Sequence, residues 1–176
     1  MRTIILGILV LFPLLARGDA RPLSFYYLDF SAFHGDGAAL WVTEDGEASL
    51  QTAQNNRSRI FQFTLPRGEW MKIRGELSEL PADRMKVVDR NGISDEVRVR
   101  VGFRDASRKL RQLSLWEGDW GNQPPEIRKL SEIAAVFLKA SASLKPLREK
   151  EFSPGKLVIE RPNTILSSDV EAVLGR

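Results

Sequence analysis

The chain has 176 residues, with 26 lysines and arginines against 23 acidic residues, a net charge of +3, one histidine and no cysteine. So small an excess of positive charge does not mark a polyanion binder, and no specific nucleic-acid binding is expected. Without cysteine there is no disulfide framework, so the fold has to be held by its hydrophobic core alone.

The N-terminus reads "MRTIILGILVLFPLLARGDA". Arg2 is a short basic start, and the apolar run from Ile4 to Ala16 is broken only by Gly7 and Pro13. That run falls short of the roughly 20 residues a spanning helix needs. Gly18 and Ala20 suit a signal-peptidase cut, so residues 1–20 are expected to be a signal peptide removed near Ala20. No cysteine follows the run, which excludes a lipid anchor on the mature N-terminus. The expected product is an exported protein, periplasmic or extracellular and bacterial, with no transmembrane segment. Residues 21–141 form its domain, and 142–176 a C-terminal tail packed on that domain.

In the mature chain "LSFYYLDFSAF" (23–33) is aromatic and almost continuously apolar, the pattern of a strand buried on both faces. In "GAALWVTEDGEASLQT" the Asp45-Gly46 pair predicts a two-residue turn. That turn would set Trp41 opposite Leu50, Thr43 opposite Ala48 and Glu44 against Glu47. "QNNRS" reads as a loop; its Asn56-Arg57-Ser58 is a glycosylation sequon that matters only outside bacteria. "RIFQFTL" (59–65) is a strand that separates Ile60 from Phe61 and Phe63 by face. Pro66 opens a helix whose Trp70, Ile73, Leu77 and Leu80 share one side, and Pro81 ends it.

After the turn-rich "VVDRNGISDE", the segments "EVRVRVGF" and "KLRQLSLW" predict a second hairpin around Asp105-Ala106-Ser107. Val101 would then face Arg111 and Val99 face Leu113, with Arg98 and Arg100 on the opposite face beside Ser114 and Gln112. "PPEIRKLSEIAAVFLKAS" is a helix with Ile127, Leu130, Ala134, Phe137 and Leu138 in one stripe. In the tail, "KLVIE" reads as a short strand and Ser168 with Glu171 as a capping box. The fold class is α+β: an antiparallel sheet of two hairpins and additional strands, with two amphipathic helices on one face.

Chemistry is sparse. His34 in "FHGDG" has no Gly-x-Ser-x-Gly elbow to serve and only Asp36 close by as a second metal ligand, so it reads as the entrance to a hairpin. "DRNGISDE" (89–96) carries oxygen ligands, but a calcium loop laid on Gly92 would begin at Val87 and end at Arg98, and neither fits. Trp116 and Trp120 flank Glu117 and Asp119, an arrangement that suits a glycan, and the enzyme alternative is a small hydrolase using Glu117, Asp119 or His34. Packing of the tryptophans against the sheet end is the simpler account. No phosphate-cradling glycine loop or dinucleotide fingerprint is present, and no catalytic residue, metal ligand or cofactor is assigned.

Arg98, Arg100 and Arg104 fall on one strand face, with Arg108 and Arg111 on or near its partner. Neighbours about 7 Å apart repel by only about 0.6 kcal/mol per pair in water, so a solvated row needs no ligand. As a function, the row edged by Trp116 suits an anionic ligand, because guanidinium forks match acidic groups. The partners considered are an anionic glycan, a lipid headgroup or an envelope protein. A secreted inhibitor of another protein is the remaining alternative.

The order "ALWVTEDGEASL", "RIFQFTLPRGEWMKIRGELSEL", "DEVRVRVGF…KLRQLSLW" and "PPEIRKLSEIAAVFLKA" resembles a group of small exported bacterial proteins of unknown function, over about residues 37–140. The best-known version carries cysteines before the first hairpin, where this chain has "FHGDG". The resemblance implies the element order and carries over no catalytic residue. The expectation is an exported, non-enzymatic binding domain.

Overall fold

In a computed structural model that describes residues 20–31, 36–88, 97–153 and 156–174, seven strands form one antiparallel sheet. Residues 1–19, within the expected signal peptide (1–20), His34 and the "DRNGISDE" stretch (89–96) lie outside the described residues. β1 (Leu23–Ser31), β2 (Asp36–Thr43), β3 (Glu47–Gln54) and β4 (Arg57–Thr64) run as a meander. Helix α1 (Arg67–Glu79) then leads back across the sheet to β5 (Arg98–Arg104), which pairs with the free side of β1. β6 (Leu110–Trp116), a 3-10 helix (Glu117–Asn122), α2 (Pro125–Ser141), β7 (Arg148–Glu151) and α3 (Ser167–Leu174) complete the chain. The strand order is β6-β5-β1-β2-β3-β4-β7. The class is α+β, as expected, and no helix among the described residues is long and apolar enough to cross a membrane.

The first hairpin departs from the sequence reading by one residue. Leu40 faces Leu50, Trp41 faces Ser49 and Val42 faces Ala48. The turn has three residues, not two: Gly46 adopts φ +88°, its N–H donates to the Thr43 carbonyl (3.0 Å), and Thr43 Oγ1 accepts from the Glu47 N–H (3.1 Å). A slip of one residue moves Trp41 to the face opposite Leu50. The two-residue turn with positive φ occurs instead at Asn55-Asn56 (φ 52° and 60°), which joins β3 to β4.

The second hairpin is displaced by two residues, which keeps every face: Val99 opposes Leu115, Val101 opposes Leu113 and Arg98 opposes Trp116. Its tip is set by Arg108 at φ 63° and by the Asp105 carboxylate, which accepts from the Ser107 hydroxyl, the Lys109 N–H and Arg111 Nε. In the tail, "KLVIE" is not a strand; the charged Arg148–Glu151 pairs with β4 instead. Ser168 lies inside α3, whose first turn begins from the Leu166 carbonyl.

Both faces of the sheet are covered. Trp70, Ile73 and Leu77 of α1, with Leu130, Ala134 and Phe137 of α2, bury Phe25, Leu40, Leu50 and Val101 on one side. On the other, Ile165 together with Val170 and Val173 of α3 covers Tyr26, Leu28, Ala39 and Trp41. The Tyr26 ring lies across Gly102, where a Cβ would come within 2.3 Å of it. Burying the three covering side chains contributes about 5–9 kcal/mol, on the scale of a whole domain's net stability. The cover is imperfect at one atom: Trp41 is 1% exposed and its Nε1 has no hydrogen-bond partner among the described residues. Such an orphan donor costs about 1–3 kcal/mol.

Helix α1 docks on the first turn: Trp70 Nε1 donates to the Glu44 carbonyl (3.2 Å), and a Cβ at Gly46 would lie 2.6 Å from the Trp70 ring. Gly46→Ala therefore combines a left-handed backbone with a clash and should cost about 2–4 kcal/mol in chemical denaturation. An unchanged midpoint would contradict this turn geometry.

Candidate functional site

The arginine row lies on the sheet face that α3 covers, and two of its members hold that helix. Arg104, 19% exposed, sends Nη2 to Asp169 Oδ2 (2.9 Å) in the first turn of α3. Its Nε donates to the Leu23 carbonyl (2.8 Å) and its Nη1 to the Arg108 carbonyl (2.8 Å). The same Asp169 oxygen accepts the Leu23 N–H (2.8 Å), so one carboxylate ties α3 to both β5 and β1. At the other end, Arg100 Nη1 donates to the Val173 carbonyl (3.1 Å), where a cation complements the helix dipole. Gln112, on β6, donates to the Ala172 carbonyl (3.4 Å) and accepts from the Tyr26 hydroxyl (3.1 Å). Arg108 pairs with Glu44 (2.6 Å), and Arg111 with Asp105 (2.6 Å) and Asp83 (2.7 Å).

Arg98 begins the row, at the first residue of β5. The register sets it directly across from Trp116, and its guanidinium carbon sits 4.6 Å from the indole ring centre. Arg98 is exposed and Trp116 half-buried, so the pair presents a charged plane backed by an aromatic one at the end of the sheet. Sequence reasoning placed both on this corner. It did not find Asp169 or Gln112; the one available signal was an acidic residue in the first turn of the last helix.

The acidic candidates are separated by their 3-10 helix. Glu117 is exposed, whereas Asp119 is 2% exposed. At three residues per turn, positions two apart point about 120° away from each other. Beside them Tyr27 stacks on Trp120 and donates to Asp29 Oδ2 (2.9 Å). Burial, and secondarily the Asp29 charge, pushes the Tyr27 phenol up; burial also raises the Asp29 carboxyl, with Asp36 adding to it. Among the described residues no group of histidine, aspartate or glutamate could hold a metal ion. An open cleft of about 470 Å³ lies between the end of α1 and the second hairpin tip, lined by Ser78, Pro81, Asp83, Asp105 and Arg111. Both of those carboxylates are engaged by Arg111.

No protein-family model, curated protein or solved structure matches the chain. The resemblance to small exported bacterial proteins is therefore one of element order and assigns no activity.

Two outcomes follow. Asp169→Ala leaves Arg104 Nη2 without its carboxylate acceptor and the Leu23 N–H without an acceptor, and should cost about 2–3 kcal/mol. Amide exchange in α3 should accelerate before that of the sheet; uniform acceleration would contradict the latch. At the hairpin tip, the Ser107 hydroxyl and then the Arg111 guanidinium hold the Asp105 carboxyl well below the usual carboxylate range. A depressed carboxyl stabilises the fold above its unfolded pKa of about 3.9, and that contribution is lost as pH falls through the lower folded value. Asp105→Asn should therefore be less stable than wild type at neutral pH, with the gap closing below about pH 4 in acid titration.

Proposed function

We propose that this protein is an exported, non-enzymatic interaction domain that receives an anionic group at the Arg98–Trp116 corner. The observation that carries the reading is the exposed Arg98, whose guanidinium carbon lies 4.6 Å from the Trp116 ring centre. A fork of N–H donors suits a carboxylate, phosphate or sulfate, and the neighbouring ring offers flat apolar contact. Acidic glycans, lipid headgroups and acidic surfaces of envelope proteins share that chemistry. Arg100 and Arg104 are the row's other members, and a ligand reaching them would compete with the Val173 carbonyl and Asp169. The reading invokes no cofactor.

The test compares wild type with Arg98→Ser and Trp116→Ala on an anionic matrix and on anionic vesicles, at low and physiological salt. Equal thermal stability is checked first. Wild type should be retained at physiological salt and both variants released, with retention falling as salt rises. Equal behaviour of all three proteins would refute the assignment. Arg100 and Arg104 variants would not decide the matter, because loosening α3 alters the surface as well as the charge.

A further inference from the structure

The expected cut after Ala20 falls where the internal bonding of the described residues begins. Ala20 is exposed and belongs to no strand or helix. Arg21 N–H donates to the Thr164 carbonyl (2.9 Å), and the Arg21 carbonyl accepts the Leu166 N–H (3.0 Å). Arg21 therefore grips the segment that leads into α3. The next two residues are bound as well: the Pro22 carbonyl accepts the Glu44 N–H (3.1 Å), and Leu23 N–H donates to Asp169 Oδ2 (2.8 Å). A cut after Ala20 changes the chemistry of the atom that meets Thr164, from an amide nitrogen to the α-ammonium of the mature chain.

The charges around that atom are unequal. Arg21 pairs with Asp45 and with Glu47 (3.5 Å) at the first turn. Arg104 of β5 lies between Glu44 (3.8 Å) and Asp169 of α3 (2.9 Å), and Arg108 pairs with Glu44 (2.6 Å). Lys109 is exposed and joins no ion pair among the described residues. Three guanidinium groups thus serve four carboxylates, which leaves one negative charge over. Residues two apart on an extended chain are separated by about 7 Å, so the Arg21 and Leu23 nitrogens lie within one Debye length, about 8 Å at physiological salt.

We infer that export completes this network: the α-ammonium of mature Arg21 is its fourth cation, held on the Thr164 carbonyl, and fastens the C-terminal cover of the sheet. The uncut chain makes the same contact through a neutral amide, and a charge-assisted hydrogen bond is roughly twice as strong as a neutral one. The inference rests on the exported reading above, through the cut after Ala20, and is independent of the Arg98–Trp116 corner.

The test uses protein purified after export, its N-terminus established by mass spectrometry, beside a version with one glycine inserted between Ala20 and Arg21. The insertion keeps the cut, moves the ammonium outward by about 3.5 Å and returns an uncharged amide to Arg21. In urea at neutral pH the unfolding constant of the wild type should be smaller than the variant's by about fivefold or more. The surrounding carboxylates raise the ammonium above its unfolded pKa of about 7.7–8.0, so its contribution is complete below that range and lost as pH rises through the folded value. The gap should accordingly close by about pH 10, and the Arg21 ammonium, followed by NMR in the folded wild type, should titrate above about 8. A chain that still carries residues 1–20 overturns the exported reading and the inference together. A mature N-terminus other than Arg21, no stability gap, a gap that persists at high pH, or an ammonium with an ordinary pKa overturns the inference alone. If the inserted variant does not fold, the NMR titration of the wild type decides.

Discussion

The constraint on which this structure depends is that its central strands are apolar on both faces. In β1, Leu23 to Leu28 are all buried, and in β2 the same holds from Ala38 to Thr43. A sheet with such strands is stable only between two covering layers. Helices α1 and α2 supply one layer. The other comes from the end of the chain, which crosses the back of the sheet as an extended segment and closes with α3. It is tied down on the way: Gln51 donates to the Val158 carbonyl and accepts from the Glu160 N–H, and Arg21 forms a short parallel bridge with Ile165. What composition suggests is a tail is therefore half of the core's enclosure.

This constraint also explains why polar residues with the look of a binding row serve the fold. A helix as short as α3 has little stability of its own, and its apolar contact is a few side chains. Arg104, Asp169 and the Leu23 backbone form a hydrogen-bonded node that fixes its start, while Arg100 and Gln112 satisfy carbonyls at its end. Each of these groups would otherwise leave a polar atom poorly satisfied beside an apolar layer, a cost larger than the net value of the bond. The surface arginine pairs elsewhere, such as Arg57 and Arg59 with Glu149, are exposed and contribute far less.

Much of this was legible from the residues and some was not, for a consistent reason. Periodicity located α1 and α2 because each has one apolar side: Trp70, Ile73 and Leu77 in the first, Ile127, Leu130, Ala134 and Phe137 in the second. The continuous apolar run of β1 announced burial on both faces. The same property hid the register of β2, since a strand buried on both sides has no alternation to distinguish a two-residue turn from a three-residue one. β5 alternates strictly, so even a register two residues off kept Arg98, Arg100 and Arg104 on their true face. Of the candidate site, the corner of Arg98 and Trp116 was visible, but their direct opposition was not. The partner of Arg104 lies 65 residues away, and local pattern carries no information about it. β7 was missed because Arg-Glu-Lys-Glu lacks any apolar residue; its place follows from pairing with β4 and from Glu160 receiving Arg148 and Lys150.

The measurement that bears most directly on this account is a comparison of the full chain with one ending at Asn163, which lacks Ile165 and α3. Thermal unfolding and binding of a dye specific for exposed apolar surface would be followed together. Two-sided enclosure predicts a large loss of stability in the shortened chain, with dye binding at temperatures where the full chain binds none. A shortened chain that unfolds at the same temperature and binds no dye would show that the back of the sheet does not need its cover, and the account would fail.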